Sequence, residues 1–348
     1  MVPITAGLPR IILGHWPTPL HELPRLSAAL GGPRLFIKRD DLTGLALGGN
    51  KCRKLEYVLA DAQQKGIDTL ITSGSSQSNH ALQTAAAARR LGMEAYLVLV
   101  KGVHVETQGN LLLQNILSST VSIVEIADPG EVFSAVPEKM TELADQLRSK
   151  GRNPLVIPAG AEMPLGTVGW VNAAEEIARQ LQEQKIDAQY VVLAHSGGGT
   201  QAGLILGFRQ LRLPLAVIGI SVTYKKDQAV NEVITLVNDT AKLLALEAGV
   251  TQNEVVVFDD YIGPGYGIPT RECVAAIRLV AQTEGIFLDP VYSGKGMAGL
   301  IDLIGKGRFT SQDTILFIHT GGVPALFAYH QELASQLRGD AGPADTAL

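Results

Sequence analysis

The sequence predicts an α/β protein built from two sets of βα units, and three observations carry that prediction. Apolar runs of strand length alternate with segments of helical period along most of the chain. The chain has 348 residues, longer than a typical single domain and long enough to bury two cores. With 46% hydrophobic and 18% charged residues it has the composition of a folded protein, and 37 glycines favour many tight turns over long bundled helices.

In chain order, LFIKRDD at 35–41 reads as a buried strand, KLEYVLADAQQKG at 54–66 as a helix and TLITSG at 69–74 as the next strand. A helix from about Ser78 to Leu91 leads into the strand AYLVLV at 95–100. A helical stretch near 107–117, the strand VSIVEI at 121–126 and a helix over 130–150, closed by Gly151, follow. After LVIPAG at 155–160 come a helix from Gly166 to Gln184, the strand YVVLAH at 190–195, a glycine loop with its helix, and the strand AVIGIS at 216–221. Helices near 228–248, 270–284 and 296–305, the strand ILFIHTGG at 315–322 and a last helix complete the pattern. The expected division is a small α/β domain over 55–165 and a large domain formed by 1–54 with 166–348.

The formal charge of −5 comes without a lysine and arginine block, so a small molecule is the expected partner and nucleic acid is not. MVPITAGLPRIILGHWPTPL lacks the parts of a signal peptide, and the longest uncharged stretch, 188–208, holds five glycines and His195, unlike a membrane span. Cys52 and Cys273 lie far apart without zinc-ligand spacing, so neither a disulfide framework nor a metal is expected. These features point to the cytoplasm and away from a membrane.

Three motifs are candidates for chemistry, and each taken alone also reads as structure: a glycine-rich strand-to-helix turn, a solvated basic turn and a well-capped helix. S196-G-G-G-T200, between an apolar strand and a helix, presents backbone N–H groups and the positive end of a helix dipole to an anion. It lacks both the GK[ST] ending of a nucleoside-triphosphate loop and the GxGxxG order, so a single phosphate monoester suits it best. G48-G-N-K-C-R-K54 puts a lysine at a helix start, where a cation is poorly placed for the dipole. Positive charge from that terminus, Arg53 and Lys54 favours the neutral amine that attacks a carbonyl. S73-G-S-S-Q-S-N-H80 ends a strand and opens a helix; Ser78 suits the cap, and the free N–H groups suit a carboxylate.

Together with KRDDLTGLALGGNKCRKLE at 38–56, GPGYGIPT, LDPVYSGKG and HTGGVPALFAY, these motifs resemble the pyridoxal-phosphate enzymes typified by D-cysteine desulfhydrase and 1-aminocyclopropane-1-carboxylate (ACC) deaminase, over nearly the whole chain. The resemblance implies the tryptophan-synthase-β type of fold (pyridoxal-phosphate fold type II), with the cofactor in the cleft between two open twisted α/β domains. It makes Lys51 the Schiff-base lysine and the loop Ser196, Gly197, Gly198, Gly199 and Thr200 the holder of the cofactor phosphate. Asn79 becomes the partner of the phenolic oxygen, and Ser78 the residue that meets substrate carboxylate and reacting carbon, with Gln77 and His80 beside it. Tyr266 and Tyr292, 26 residues apart, match the two active-site tyrosines. A homodimer is implied as well.

Within that family, ACC deaminase carries a glutamate after the second tyrosine that contacts the pyridine nitrogen. This chain has Ser293 there, His80 for a glutamine and Thr320 for a leucine, as desulfhydrases do. A neutral Thr320 hydroxyl leaves the ring nitrogen largely unprotonated, a weaker electron sink that suits β-elimination. The expected reaction is loss of sulfide from D-cysteine to give pyruvate and ammonia, with Lys51 as base and Ser78 or Tyr292 assisting. Leu82, where relatives commonly carry an arginine, keeps L-cysteate sulfo-lyase open as an alternative, with His80, Ser75, Ser76 and Thr107 as candidate sulfonate contacts. ACC deaminase is a further alternative. A non-catalytic protein binding a phosphorylated metabolite needs the glycine loop but not Lys51, Ser78, Tyr266 and Tyr292 together.

Overall fold

The computed structural model describes residues 3–125, 132–247 and 249–339. The chain opens with strand β1 (Leu20–Glu22), helix α1 (Pro24–Leu30), β2 (Arg34–Arg39) and α2 (Lys51–Gln64). A run of βα units follows: β3 (Thr69–Ser75), α3 (Asn79–Arg90), β4 (Glu94–Val100), α4 (Gly109–Ile116), β5 (Thr120–Val124), α5 (Val132–Ser149) and β6 (Pro154–Ile157). Next come α6 (Pro164–Gln184), β7 (Tyr190–His195), α7 (Gly199–Gln210), β8 (Ala216–Ser221), α8 (Lys226–Leu243) and β9 (Val256–Phe258). The chain finishes with α9 (Arg271–Glu284), α10 (Ser293–Gly305), β10 (Thr314–His319), α11 (Ala325–Ala328) and α12 (His330–Gly339).

The strands form two sheets. One has six strands in the order β1-β2-β10-β7-β8-β9, parallel except for β1; the other has four parallel strands in the order β5-β4-β3-β6. Helices cover both faces of each sheet, so the central strands are apolar throughout rather than alternating. Leu26, Ile37, Ile218, Val280, Leu300 and Phe317 share the core on one face of the larger sheet, and Trp170, Ile177, Leu193, Leu204 and Phe208 the core on the other. In the smaller unit, Leu55, Leu59, Leu70, Ala85 and Leu97 pack on one side and Ile71, Val98, Met140 and Leu147 on the other.

The strands at 190–195 and 216–221 lie where their apolar runs place them. Four short elements, β1, α1, β9 and α11, were not expected. Two helices start earlier than their apolar periodicity suggests: α2 at Lys51 rather than 54, and α10 at Ser293 rather than 296. Helix α2 therefore crosses the expected boundary at 54/55, and its Cys52, Leu55, Val58 and Leu59 belong to the core of the smaller unit. Residue 126 of the expected strand and residues 130–131 of the expected helix lie outside the described residues.

Candidate active site

In a parallel sheet, ligands bind beyond the carboxyl ends of the strands, where chain reversals leave a crevice. Here the loops that follow β3, β7 and β10 open onto one cavity of about 880 Å³ between the two sheets. Those loops are the QSN turn, the glycine loop and the HTGG segment. The residues predicted for the cofactor and substrate line this cavity except Gly199, whose N–H is bonded to a side chain that does, and the candidate sulfonate contact Thr107.

Lys51 is the first residue of α2. Gly48 and Gly49, at φ +80° and +137°, bring the chain into the site in a conformation that other residues rarely adopt. A side chain on Gly49 would collide with the Asn79 and Gln83 amides, so glycine is required for that approach. Gly49 forms an isolated β-bridge with Gly321 of the HTGG segment, and the Asn50 N–H donates to Thr320 O at 3.0 Å. The Asn50 side chain donates to Thr200 Oγ1 at 3.1 Å. The lysine loop, the glycine loop and the last strand are thus tied together around Lys51.

The glycine loop holds an anion, and that anion belongs to the chain itself. Glu162 Oε2 accepts from the Gly199 N–H at 2.6 Å, while Oε1 accepts from Lys54 Nζ at 2.6 Å and Lys51 Nζ at 3.1 Å. Burial alone pushes the Glu162 carboxyl up, but Lys54 and then Lys51 hold it down at about 2. Burial pushes the Lys54 ammonium down to about 7, against the pull of Glu162. Neither Glu162 nor the role of Lys54 as an anion ligand was legible in the sequence: Glu162 comes from the turn between β6 and α6, more than a hundred residues from either partner.

Ser78 caps α3, its Oγ accepting from the Ala81 N–H at 3.2 Å. The amides of Asn79 and His80, in the first turn, have no acceptor inside the helix and face the end where a carboxylate is favoured. The Gln77 side chain is spent on the neighbouring loop, donating to Gln108 O at 3.2 Å and accepting from the Asn110 N–H at 2.9 Å. The His80 imidazole turns to Thr72 at 2.9 Å; because the Thr72 hydroxyl donates to Ile157 O, Nε2 of His80 carries the proton. Burial, with Lys51 and Lys54 adding to it, pushes His80 down to about 3, so it is neutral. The candidate sulfonate contacts at Ser76 and Thr107 do not face the cavity as a group: Ser76 Oγ donates to His104 O, and Thr107 is exposed outside the lining.

Opposite, the hydroxyls of Tyr266 and Tyr292 share a short hydrogen bond, with ring centroids 5.9 Å apart, and Ser75 Oγ lies 3.5 Å from Tyr266 OH. Burial, then Tyr266, raises the Tyr292 phenol well above its ordinary value, so it stays protonated. Tyr292 is held by buried Asp289, whose carboxylate accepts from the Val291, Tyr292 and Ser293 N–H groups at 2.9, 2.9 and 2.7 Å. Ser293 donates its hydroxyl to the same carboxylate and lies outside the cavity lining, whereas Thr320 is in it.

Arg53, expected to add positive charge beside Lys51, points away from it. It bonds Asp40 at 2.6 Å and Glu176 at 2.9 Å, stacked 4.2 Å from the Trp16 ring, with Lys38 on Glu176 completing a buried network. Next to the glycine loop, His195 donates Nδ1–H to Gln201 Oε1 at 2.9 Å, since the Gln201 NH₂ already serves Val217 O and Val256 O. Its buried Nε2 meets no donor, and burial pushes the ring down to about 4.

The donor set fits pyridoxal phosphate. A seat of backbone N–H and two ammonium groups that holds a carboxylate holds an ester phosphate by the same chemistry. Lys51, Asn79 and Thr320 line the same cavity, where Lys51 would meet the aldehyde and the other two would flank the ring. Among the described residues no cluster of His, Cys, Asp or Glu could hold a metal, and no helix is long and apolar enough to cross a membrane.

The chain is similar to known proteins in sequence and in fold. D-Cysteine desulfhydrase of Klebsiella pneumoniae strain 342 is 44% identical over 331 residues, 93% of this chain and 97% of the relative; the enzyme from strain ATCC 700721 / MGH 78578 gives the same figures. The crystal structure of an ACC deaminase homologue superposes with a TM-score of 0.87 at 40% identity, covering 96% of this chain and 98% of that one. The processed form of threonine deaminase isoform 2 from Solanum lycopersicum, at 18% identity and a TM-score of 0.64, shares the fold, over 92% of this chain and 82% of its own. With residues 11–321 matching the family as a whole, the chain belongs to the pyridoxal-phosphate dependent enzymes.

Proposed function

We propose that this enzyme is a β-eliminating carbon–sulfur lyase that converts D-cysteine to sulfide, pyruvate and ammonia. The observation that carries the reading is the placement of Lys51, the first turn of α3 and the Tyr292 hydroxyl around one cavity whose lining, among the described residues, contains no arginine. When bound, pyridoxal phosphate supplies the electron sink for the α-carbon of an amino acid. Lys51 Nζ anchors the cofactor and takes the α-proton. The Asn79 and His80 amides receive the substrate carboxylate at the positive end of α3. Tyr292, which cannot act as a base near neutral pH, gives its proton to the departing sulfur, and Ser78 Oγ, committed to the helix cap, orients rather than transfers.

The lack of an arginine also separates this reading from cysteate. Among the described residues the one lining lysine besides Lys51 is Lys101, which is paired with Glu125 at the surface, so a sulfonate finds neutral hydroxyls beside Tyr266. D-Cysteine desulfhydrase as a relative at 44% identity supports the same choice. The family resemblance further supports a homodimer working in the cytoplasm, and a small domain over 55–165 closing on the remainder.

Sulfide, sulfite, pyruvate and 2-oxobutyrate measured from D-cysteine, L-cysteine, L-cysteate and ACC decide the substrate. Sulfide with pyruvate from D-cysteine is expected to dominate. Sulfite from L-cysteate, or 2-oxobutyrate from ACC, at higher kcat/KM would replace this assignment. Lys51→Ala is expected to abolish turnover and the visible absorption of the bound cofactor.

A further inference from the structure

We propose that Glu162 is an internal anion that occupies the cofactor's phosphate seat in the cofactor-free chain and competes with pyridoxal phosphate for it. The proposal rests on the family cofactor and not on the choice of substrate. Glu162 follows a tight turn over Ala159–Ala161, with Gly160 at φ +71°, and reaches across the cleft into the glycine loop. A side chain at Gly197 or at Gly199 would run into Glu162, so the loop that makes room for a phosphate makes room for this carboxylate.

Of the three donors Glu162 engages, the Gly199 N–H and Lys54 Nζ are ones a phosphate needs, and Lys51 Nζ at 3.1 Å is the one the aldehyde takes. The Gly199 N–H at 2.6 Å is the amide at the start of α7, and Lys54 Nζ at 2.6 Å, also bonded to Gly160 O at 3.1 Å, is buried. Without an anion, the Lys54 ammonium would be stranded in a site where desolvation already works against its charge. Glu162 supplies that anion while the cofactor is absent. A phosphate dianion and a carboxylate cannot share these donors, because like charges at contact distance in a buried site repel strongly. Loading is therefore an exchange: the Gly199 amide and Lys54 pass from carboxylate to phosphate, and Glu162 turns out of the seat. The device keeps the empty site folded and costs the cofactor part of its affinity. Pyridoxal, which has the aldehyde and ring but no phosphate, takes Lys51 from Glu162 and leaves the carboxylate on Lys54 and the Gly199 amide.

The test uses the full-length chain stripped of cofactor. Wild type, Glu162→Gln and Glu162→Ala are titrated with pyridoxal phosphate and with pyridoxal, following visible absorbance, and the cofactor-free and loaded forms are melted in parallel. Replacing the carboxylate is expected to tighten pyridoxal phosphate about tenfold or more, as loss of one charge-assisted competitor implies, while pyridoxal stays within about twofold. The cofactor-free variants are expected to melt lower than wild type and the loaded ones to match it. Inorganic phosphate is expected to raise the melting temperature of cofactor-free Glu162→Ala more than that of wild type. Unchanged or weaker binding of pyridoxal phosphate in both variants overturns the proposal. So does an equal gain for pyridoxal, or an equal fall in melting temperature with and without cofactor. If Glu162→Ala does not fold without cofactor, the near-isosteric Glu162→Gln carries the comparison.

Discussion

The Ser293 hydroxyl donates to Asp289 Oδ1 at 2.6 Å and accepts from the Asp289 N–H at 2.8 Å, closing a reciprocal pair at the start of α10. Ser293 stands where a resemblance to ACC deaminase directs attention to the pyridine nitrogen, yet its side chain serves the loop that aims Tyr292. The residue at the cavity wall is Thr320.

Ser293→Ala is therefore expected to cost about 2 kcal/mol of stability, for two hydrogen bonds, and to leave the visible spectrum of the bound cofactor unchanged. Asp289→Ala strands three backbone donors and that hydroxyl, with an expected loss of about 3 kcal/mol and a fall in kcat larger than the rise in KM. Denaturant unfolding and steady-state kinetics on the two variants check both. A spectral shift in Ser293→Ala would place its hydroxyl at the cofactor after all.

Tyr292→Phe keeps the ring and removes the proton. Loss of a positioned general acid lowers turnover by about 100-fold, with a smaller effect on KM. Because burial raises this phenol, its ionisation adds no alkaline limb to the rate below about pH 10, the ordinary tyrosine value. A kcat profile from pH 6 to 10 on wild type and variant measures both effects.

His80 and His195 make the fold sensitive to mild acid. Their folded values, about 3 and about 4, lie below the ordinary 6.5, so the unfolded chain takes up protons that the folded chain refuses. Stability from these groups is fully present above pH 6.5 and is lost as pH falls toward 4. Two such groups give a slope of about 2 kcal/mol per pH unit between about pH 6 and 5. His195→Gln is expected to remove about half of it. Unfolding free energies across that range provide the measurement.

The buried network of Arg53, Asp40, Glu176 and Lys38 balances two cations with two carboxylates. Burial raises the Glu176 carboxyl, but Arg53 and then Lys38 hold it at about 2. Its contribution is thus present above pH 4.5 and lost as pH falls toward 2. Glu176→Gln leaves two buried cations with one carboxylate and is expected to cost about 3–5 kcal/mol. A melting curve at neutral pH reads this directly, and a loss below about 1 kcal/mol would mean that solvent reaches the network.

Much of the fold was readable because parallel strands buried on both faces leave unbroken apolar runs, as at 190–195 and 216–221. What was not readable is set at a distance. β1 and β9 have three residues each, too few for a period, and are fixed by pairing with β2 and β8. The early starts of α2 and α10 come from the glycine approach to Lys51 and from Asp289, not from helix periodicity. At the site, Lys51, Ser78 and the tyrosines sit in local motifs, whereas Glu162 has no local signature. Its role exists only because the β6–α6 turn meets the glycine loop.

The first six residues of α2 send side chains in different directions. Lys51 and Lys54 meet the Glu162 carboxylate, and Arg53 enters the buried network. Glu56 accepts from Arg10, Trp16 and the amides of Leu13 and Gly14. Each successive position on a helix is rotated by about 100°. Inserting or deleting one residue after Lys51 would turn every following side chain to the wrong neighbour at once. The segment 51–56 is thus open to exchange of side chains at single positions but closed to any change in length, so in natural variation and in engineering alike its spacing is the less negotiable property.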